Sequence, residues 1–238
     1  MDKIMFDENY GLESASIEGW KQRTRRIPKL SAEDKDYLDT AFIFDWSMRK
    51  QKILKRYAKY KVGDVVAIAQ SYGSIIRSMK SDDCVSPRYS AFLSQNPHLQ
   101  EEKGWENKMF VRADLMPYRI RITDVWLEHL RDITDSECLK EGIKMDLDTA
   151  SMCSMYFFKG CKSAEIYTNP RSAYAALINK MCGKNTWEEN PYVIVYAYKR
   201  DDLPCYFGST CIHVHKGECL KVHGSPCDRM PETWKEKG

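Results

Sequence analysis

The sequence predicts an α+β domain around a partly closed, mixed β-sheet. Three observations predict it. Runs rich in β-branched and aromatic residues, such as Val65 to Gln70, Tyr118 to Trp126 and Tyr192 to Tyr198, have the length and character of strands. The helical stretches between them are short and carry their own start and stop signals. Strands and helices interleave without a strict strand–helix–strand repeat, which argues against a doubly wound parallel sheet. At 238 residues, 43% hydrophobic and 12% aromatic, the chain has the material for a real core and is not a disordered one.

Met1 to Phe6 reads as an edge strand. Asn9 to Glu18 reads as a short helix, because Leu12, Ala15 and Ile17 share a face before Gly19. Ser31 with Asp34 three residues on is a helix-start signature, and Leu38, Ala41, Phe42 and Trp46 supply an apolar stripe to the stretch that begins there. Arg49 to Lys61 is dense in Lys, Arg and Tyr and reads first as a solvated helix or exposed ribbon, second as a nucleic-acid flank. Gly63-Asp64 turns the chain into a strand that is apolar on both faces and therefore buried.

Ser71 to Asn107 dissolves into Ser, Asp, Pro, Asn and Glu, which predicts a surface insertion with one helix over Pro87 to Ser94. Met109 to Arg112 reads as a strand. In Tyr118 to Trp126 the alternation turns Ile120, Ile122 and Trp126 inward and Arg119, Arg121 and Thr123 outward. Thr134-Asp135-Ser136-Glu137 is a capping box, so a short helix runs from Ser136 to Glu141 and stops at Gly142. Glu141 then sits in its last turn, where the negative end of the helix dipole raises a carboxylate's proton affinity. Lys144 to Thr168 reads as an excursion of short strands. Asn169-Pro170 opens a helix packed by Tyr174, Leu177, Ile178 and Met181 and closed by Gly183. Trp187 to Pro191 is a turn into the strand Tyr192 to Tyr198. The expected organisation is one domain over residues 1–200 with insertions at about 71–107 and 144–168, then a Cys/His-rich tail over 201–238.

A net charge of +3 and a pI near 8.3 confine any nucleic-acid site to a local patch. No apolar run approaches the roughly 20 residues of a membrane span, and Met1 to Phe6 lacks a signal-peptide pattern. The expectation is a cytoplasmic, monomeric protein. Nine cysteines without framework spacing read mostly as core residues or free thiols.

The densest chemistry lies in Gly19-Trp20-Lys21-Gln22-Arg23-Thr24-Arg25-Arg26, with four cations, one hydroxyl and one aromatic ring. Gly19 reads as the residue just past a helix end, so the chain leaves it extended. Alternation then puts Lys21, Arg23 and Arg25 on one face and Gln22, Thr24 and Arg26 on the other. A bulge would bring Lys21 and Thr24 together. The plain reading is a solvated basic edge strand.

Gly19-x-Lys21-x-x-Thr24-x-Arg26, the Gly63-Asp64 strand entry, Met116-Pro117 leading into Arg119-Ile120-Arg121-Ile122, the segment from Ile133-Thr134 to Glu141-Gly142, and Trp187-x-x-Asn190-Pro191 occur in this order in the ASCH family. The chain resembles the variety of that family common in bacterial and phage genomes, a branch of the PUA-like β-barrel superfamily. The resemblance covers residues 1–200 apart from the insertions. It implies a small barrel whose basic cleft holds Gly19 to Arg26 and takes RNA or a modified nucleoside. One small member of the family is an amidohydrolase that deacetylates N4-acetylcytidine, and its lysine, threonine and glutamate match Lys21, Thr24 and Glu141. An amide needs a nucleophile, a base to activate it and an acid for the leaving amine. A lysine desolvated beside Arg25 and Arg26 would serve as base on Thr24, with Glu141 moving the proton. The long insertions, Trp20 and Arg23 depart from that small hydrolase.

A binding role uses Arg25, Arg26, Arg112 and Arg119 on phosphates and Trp20 or Trp187 against a base, although Trp187 beside Pro191 reads first as a core plug. A third role, an interaction or morphogenesis factor acting through Ser71 to Asn107, needs no chemistry. In the tail, Cys205, Cys211, His213, His215, Cys219, His223 and Cys227 have the ligand types of a zinc site, with Cys211, His213, Cys219 and His223 as the first set. No Cys-x2-Cys pair supports it, so the tail reads first as metal-free and the protein as needing no cofactor.

Overall fold

The structure is a computed structural model that describes residues 1–42, 45–81, 94, 96–148, 153–160, 166–201, 214–215 and 218–219. Its strands in chain order are β1 (Lys3–Ile4), β2 (Arg23–Arg26), β3 (Val65–Ile68), β4 (Arg119–His129), β5 (Lys144–Asp148), β6 (Cys153–Phe157), β7 (Tyr192–Arg200), β8 (Val214–His215) and β9 (Glu218–Cys219). Its α-helices are α1 (Leu12–Ile17), α2 (Ala32–Asp39), α3 (Trp46–Tyr57), α4 (Tyr72–Ser81), α5 (Asp135–Lys140), α6 (Pro170–Cys182) and α7 (Thr186–Glu189). The fold is α+β with a mixed five-strand sheet in the order β1-β3-β4-β7-β2. Among the described residues this sheet is open, with β1 and β2 at its ends, so no closed barrel forms. Contacts divide the chain into two compact units: Met1–Phe6, Val66–Arg119 and Asp201–Gly238 in the first, Asp7–Val65 and Ile120–Arg200 in the second.

In the first unit β1 pairs parallel with β3, Lys3 opposite Ala67 and Ile4 opposite Ile68. The β3 residues from Val66 on are buried on both faces, as the unbroken apolar run predicts. The segment after β3 departs from the predicted surface insertion. Ser71 Oγ accepts from the Ser74 amide and starts α4, and Tyr72 and Ile75 of that helix join Ala67, Ala69, Leu115 and Met116 in one core. Gly104 lies flat against the Tyr72 ring, where a Cβ would come within 2.6 Å of a ring carbon. Of the predicted helix over Pro87 to Ser94, all but Ser94 lies outside the described residues. Met109 to Arg112 is not a strand: Asn107 accepts from the Met109 amide and winds a 3-10 turn over Lys108–Phe110, leaving Met109 and Phe110 exposed.

In the second unit β7 lies between β4 and β2 and is antiparallel to both. Val193, Val195 and Tyr196 are fully covered, which is why this run reads as the clearest strand in the sequence. Thr134 caps α5 in a reciprocal box with Glu137, and Asn169 caps α6 through the Ser172 amide. The predicted stripe over Leu38, Ala41, Phe42 and Trp46 belongs to no single helix. The chain stops at Thr40 and restarts at α3, so Leu38 is buried while Phe42 is 75% exposed. Met181 likewise faces solvent at the end of α6. β5 and β6 pair as a separate two-stranded ribbon within the predicted excursion.

Candidate functional site

The site is built where β2 meets the end of α5. Gly19 has φ 85°, the left-handed conformation expected just past a helix. From there the chain closes two helix ends. The Lys21 amide donates to Ala15 O of α1, and the Gln22 amide donates to Lys140 O of α5. β2 then runs against β7 in unbroken register, Arg23 opposite Ala197 through Arg26 opposite Ile194. No bulge interrupts it, so Thr24 and Arg26 alternate away from the face that carries Arg23 and Arg25. On β4 a bulge between Ile122 and Asp124 sets the register that puts Trp126 opposite Val195 and Glu128 opposite Val193. Trp126 and Glu128 thereby reach the Arg25 face; a one-residue slip would turn both away.

Three cations and three carboxylates interlock there. Lys21 Nζ donates to Arg23 O at 2.6 Å, to Glu141 O at 2.7 Å and to Glu141 Oε2 at 2.8 Å. Arg25 donates from Nη1 to Glu141 Oε1 at 2.9 Å, from Nε and Nη2 to Glu128 Oε1 at 2.9 and 2.7 Å, and from Nη2 to Glu137 Oε2 at 3.3 Å. Arg23 pairs with Glu137 Oε1 and lies over the Trp126 ring, whose Nε1 donates to Glu128. Lys21 is 2% exposed and Glu141 4%. Gly142, at φ 113°, permits this closeness: a Cβ there would sit 2.6 Å from Leu12 Cδ2 and 3.6 Å from Lys21 Cδ.

Burial is the largest influence on the Lys21 amine and lowers its pKa, against the pull of Glu141; Arg26 and Arg25 push the same way as burial but less. Burial by itself would raise the Glu141 carboxyl, but Lys21 and Arg25 together outweigh it and hold the group below the ordinary carboxylate value. The rise expected from the end of α5 is therefore reversed, because two cations at hydrogen-bond distance exceed the field of a six-residue helix. Beside the cluster, the Tyr174 hydroxyl is buried and has no hydrogen-bond partner among the described residues; its pKa is driven well above ordinary, chiefly by burial and secondarily by Glu141.

Of the predicted residues, Lys21, Glu141 and Arg25 come together. Thr24 is 5% exposed on the adjoining strand position and contributes none of the cluster's contacts. Arg25 was expected at phosphates, yet its guanidinium is 1% exposed and committed to three carboxylates, which a phosphate would have to displace. Arg26 is exposed on the Thr24 side of β2. Trp20 is half-buried, donates from Nε1 to Glu18 at 2.8 Å and carries the Lys144 ammonium over its ring at 5.3 Å. Trp187 packs edge-on against Tyr174 at 6.2 Å, the packing role. Arg112 and Arg119 belong to the first unit. Arg112 is paired with Asp114 at 2.7 Å, and the Arg119 Nε is buried with no partner among the described residues. Cys211, His213 and His223 lie outside the described residues, and Cys219 is described only as a strand position opposite Val214. Elsewhere among the described residues no group of His, Cys, Asp and Glu is placed to hold a metal. No described helix is long and apolar enough to cross a membrane.

Sequence reasoning missed Glu128 and Glu137. Glu128 directly follows the apolar run Val125-Trp126-Leu127 of β4, and a carboxylate entering covered surface needs a cation. Glu137 was absorbed into the capping box, which uses one of its oxygens while the side chain also meets Arg23 and Arg25. No protein-family model, curated protein or solved structure matches the chain.

Proposed function

We propose that this is an ASCH-type, PUA-like protein that binds a modified nucleoside, free or within RNA, at the surface of β2, with the Lys21–Glu141–Arg25 cluster as the frame that holds the strand. The observation that carries the reading is the surrounding of Lys21 Nζ. Three protein oxygens within 2.8 Å take up the three protons of an ammonium, and none of them is the Thr24 hydroxyl. A lysine in that setting is a fixed cation. The groups of the stretch left at the surface are Trp20, Gln22 and Arg26. In this reading Trp20 stacks on the base, Gln22 reads its edge and Arg26 meets a phosphate. The test is calorimetric titration with N4-acetylcytidine and cytidine. Binding by wild type, weakened by roughly 1 to 3 kcal/mol in Trp20→Ala and little changed in Thr24→Ala, supports it. Equal loss in both variants, or no binding, contradicts it.

One observation favours the second reading, an amidohydrolase acting on N4-acylated cytidine. The Lys21 amine is lowered by burial, the direction a general base requires, and Thr24 lies three residues away. For that chemistry the ammonium would have to lose a proton and turn to Thr24.

A further inference from the structure

The second unit holds another dense group of cations, and the β2 site does not use it. From Trp46 to Lys61 the chain has Arg49, Lys50, Lys52, Lys55, Arg56, Lys59 and Lys61 and no acidic residue. Neighbouring acids account for part of this charge. Arg56 pairs with Asp34 at 2.7 Å, Arg49 lies 3.8 Å from Asp45, and Lys50 feels Asp132 and Glu128. Lys52, Lys55, Lys59 and Lys61 are exposed, and among the described residues none of their ammonium groups has a carboxylate within 4.0 Å, although the Lys61 backbone amide donates to Asp64 Oδ2 at 2.8 Å. Ile53 turns the opposite side of α3 into the protein at 1% exposure. Helical spacing therefore gathers Met48, Gln51, Lys52 and Lys55 on the outward face. Phe42, 75% exposed, stands one turn before the helix, its carbonyl accepting from the Asp45 amide. Exposed lysines along and just after a helix, with an exposed aromatic ring before its start, are groups a single-stranded nucleic acid uses: lysines follow the phosphates and the ring takes an unpaired base.

We infer that the outward face of α3, with Phe42, Lys52, Lys55, Lys59 and Lys61, binds the backbone of single-stranded RNA. The choice of RNA rests on the nucleoside reading of β2; the charge complementarity stands without it. A membrane is the weaker occupant, because α3 spends its buried side on the protein core and keeps only Met48 as an outward apolar residue.

The experiment is fluorescence anisotropy with a labelled single-stranded RNA of about 12 nucleotides, at salt between about 50 and 200 mM. Four phosphate contacts give a log–log salt slope of about −2.8, roughly a 50-fold loss of affinity over that range. The double variant Lys52→Gln/Lys55→Gln, with melting temperature as the fold control, should halve the slope to about −1.4, roughly a sevenfold loss. Phe42→Ala should weaken binding with the slope unchanged. An unchanged slope in the double variant overturns the inference. So does tighter binding to single-stranded DNA of the same sequence, or to phosphatidylserine vesicles in place of RNA. N4-acetylcytidine titrations separate the two proposals. Unaltered nucleoside binding by the double variant, with weakened RNA binding, supports the α3 surface; wild-type RNA binding that depends on α3 without any nucleoside binding removes only the β2 pocket.

Discussion

Two basic stretches of the second unit, β2 and α3, both lack acidic residues and have opposite fates. At β2, Lys21 just before the strand and Arg23 and Arg25 within it are drawn inside against Glu128, Glu137 and Glu141, and Arg26 stays exposed on the other face. In α3, Lys52 and Lys55 stand in solvent, Lys50 is half-buried over the Trp46 ring, and the two arginines lean on Asp34 and Asp45 at the margin. The difference is set by the neighbours rather than the stretch. β2 is laid against β7 and the end of α5, where desolvation makes an unmatched charge intolerable, whereas α3 turns Ile53 inward and leaves Lys52 and Lys55 in water. Lysine and arginine in sequence therefore announce charge but not its use.

The comparison is broken most severely at Glu141. Glu141→Ala leaves Lys21 and Arg25 buried against no common partner and should cost about 3 to 5 kcal/mol, read as a lower urea midpoint. Lys21→Met is expected to cost less, because Arg25 still answers Glu141 and the thioether fills the stem's place. If the two variants lose equal stability, the cluster is not organised on the glutamate.

Acid titration sharpens the contrast. The folded pKa of Glu141 is lowered, so its stabilisation is complete above the ordinary value of 4.5 and is lost as pH falls through the folded value. Lys21 is lowered too, so the unfolded chain holds that proton more tightly, and stability rises with pH between the folded value and 10.5. Urea midpoints of wild type should therefore drop below pH 4.5, and Glu141→Gln should flatten that drop. The smallest effect belongs to α3, where Lys55→Gln should change stability by less than about 0.5 kcal/mol.

Much of β2 was legible, because period-two alternation after a left-handed Gly19 already groups Lys21, Arg23 and Arg25. The capping residues Ser31, Thr134 and Asn169 were equally readable, since each side-chain bond depends on local spacing alone. α4 was not read, although Ser71 three residues before Ser74 carries a cap signal; the polar run that follows Ser81 obscured Tyr72 and Ile75. The break between α2 and α3 was hidden because Phe42 continues an apolar pattern without being buried. Which cations Glu128 and Glu137 meet depends on a bulge in β4 and on contacts more than a hundred residues apart, and no local pattern encodes those partners.

The central claim is that Lys21 is a fixed cation in a frame and not a base. Incubating the wild-type protein with N4-acetylcytidine and following cytidine by chromatography tests it most directly, with Lys21→Ala, Thr24→Ala and Glu141→Ala alongside. The account predicts that the nucleoside is bound and recovered unchanged. Cytidine released by wild type and by none of the three folded variants would contradict it and make Thr24 a nucleophile.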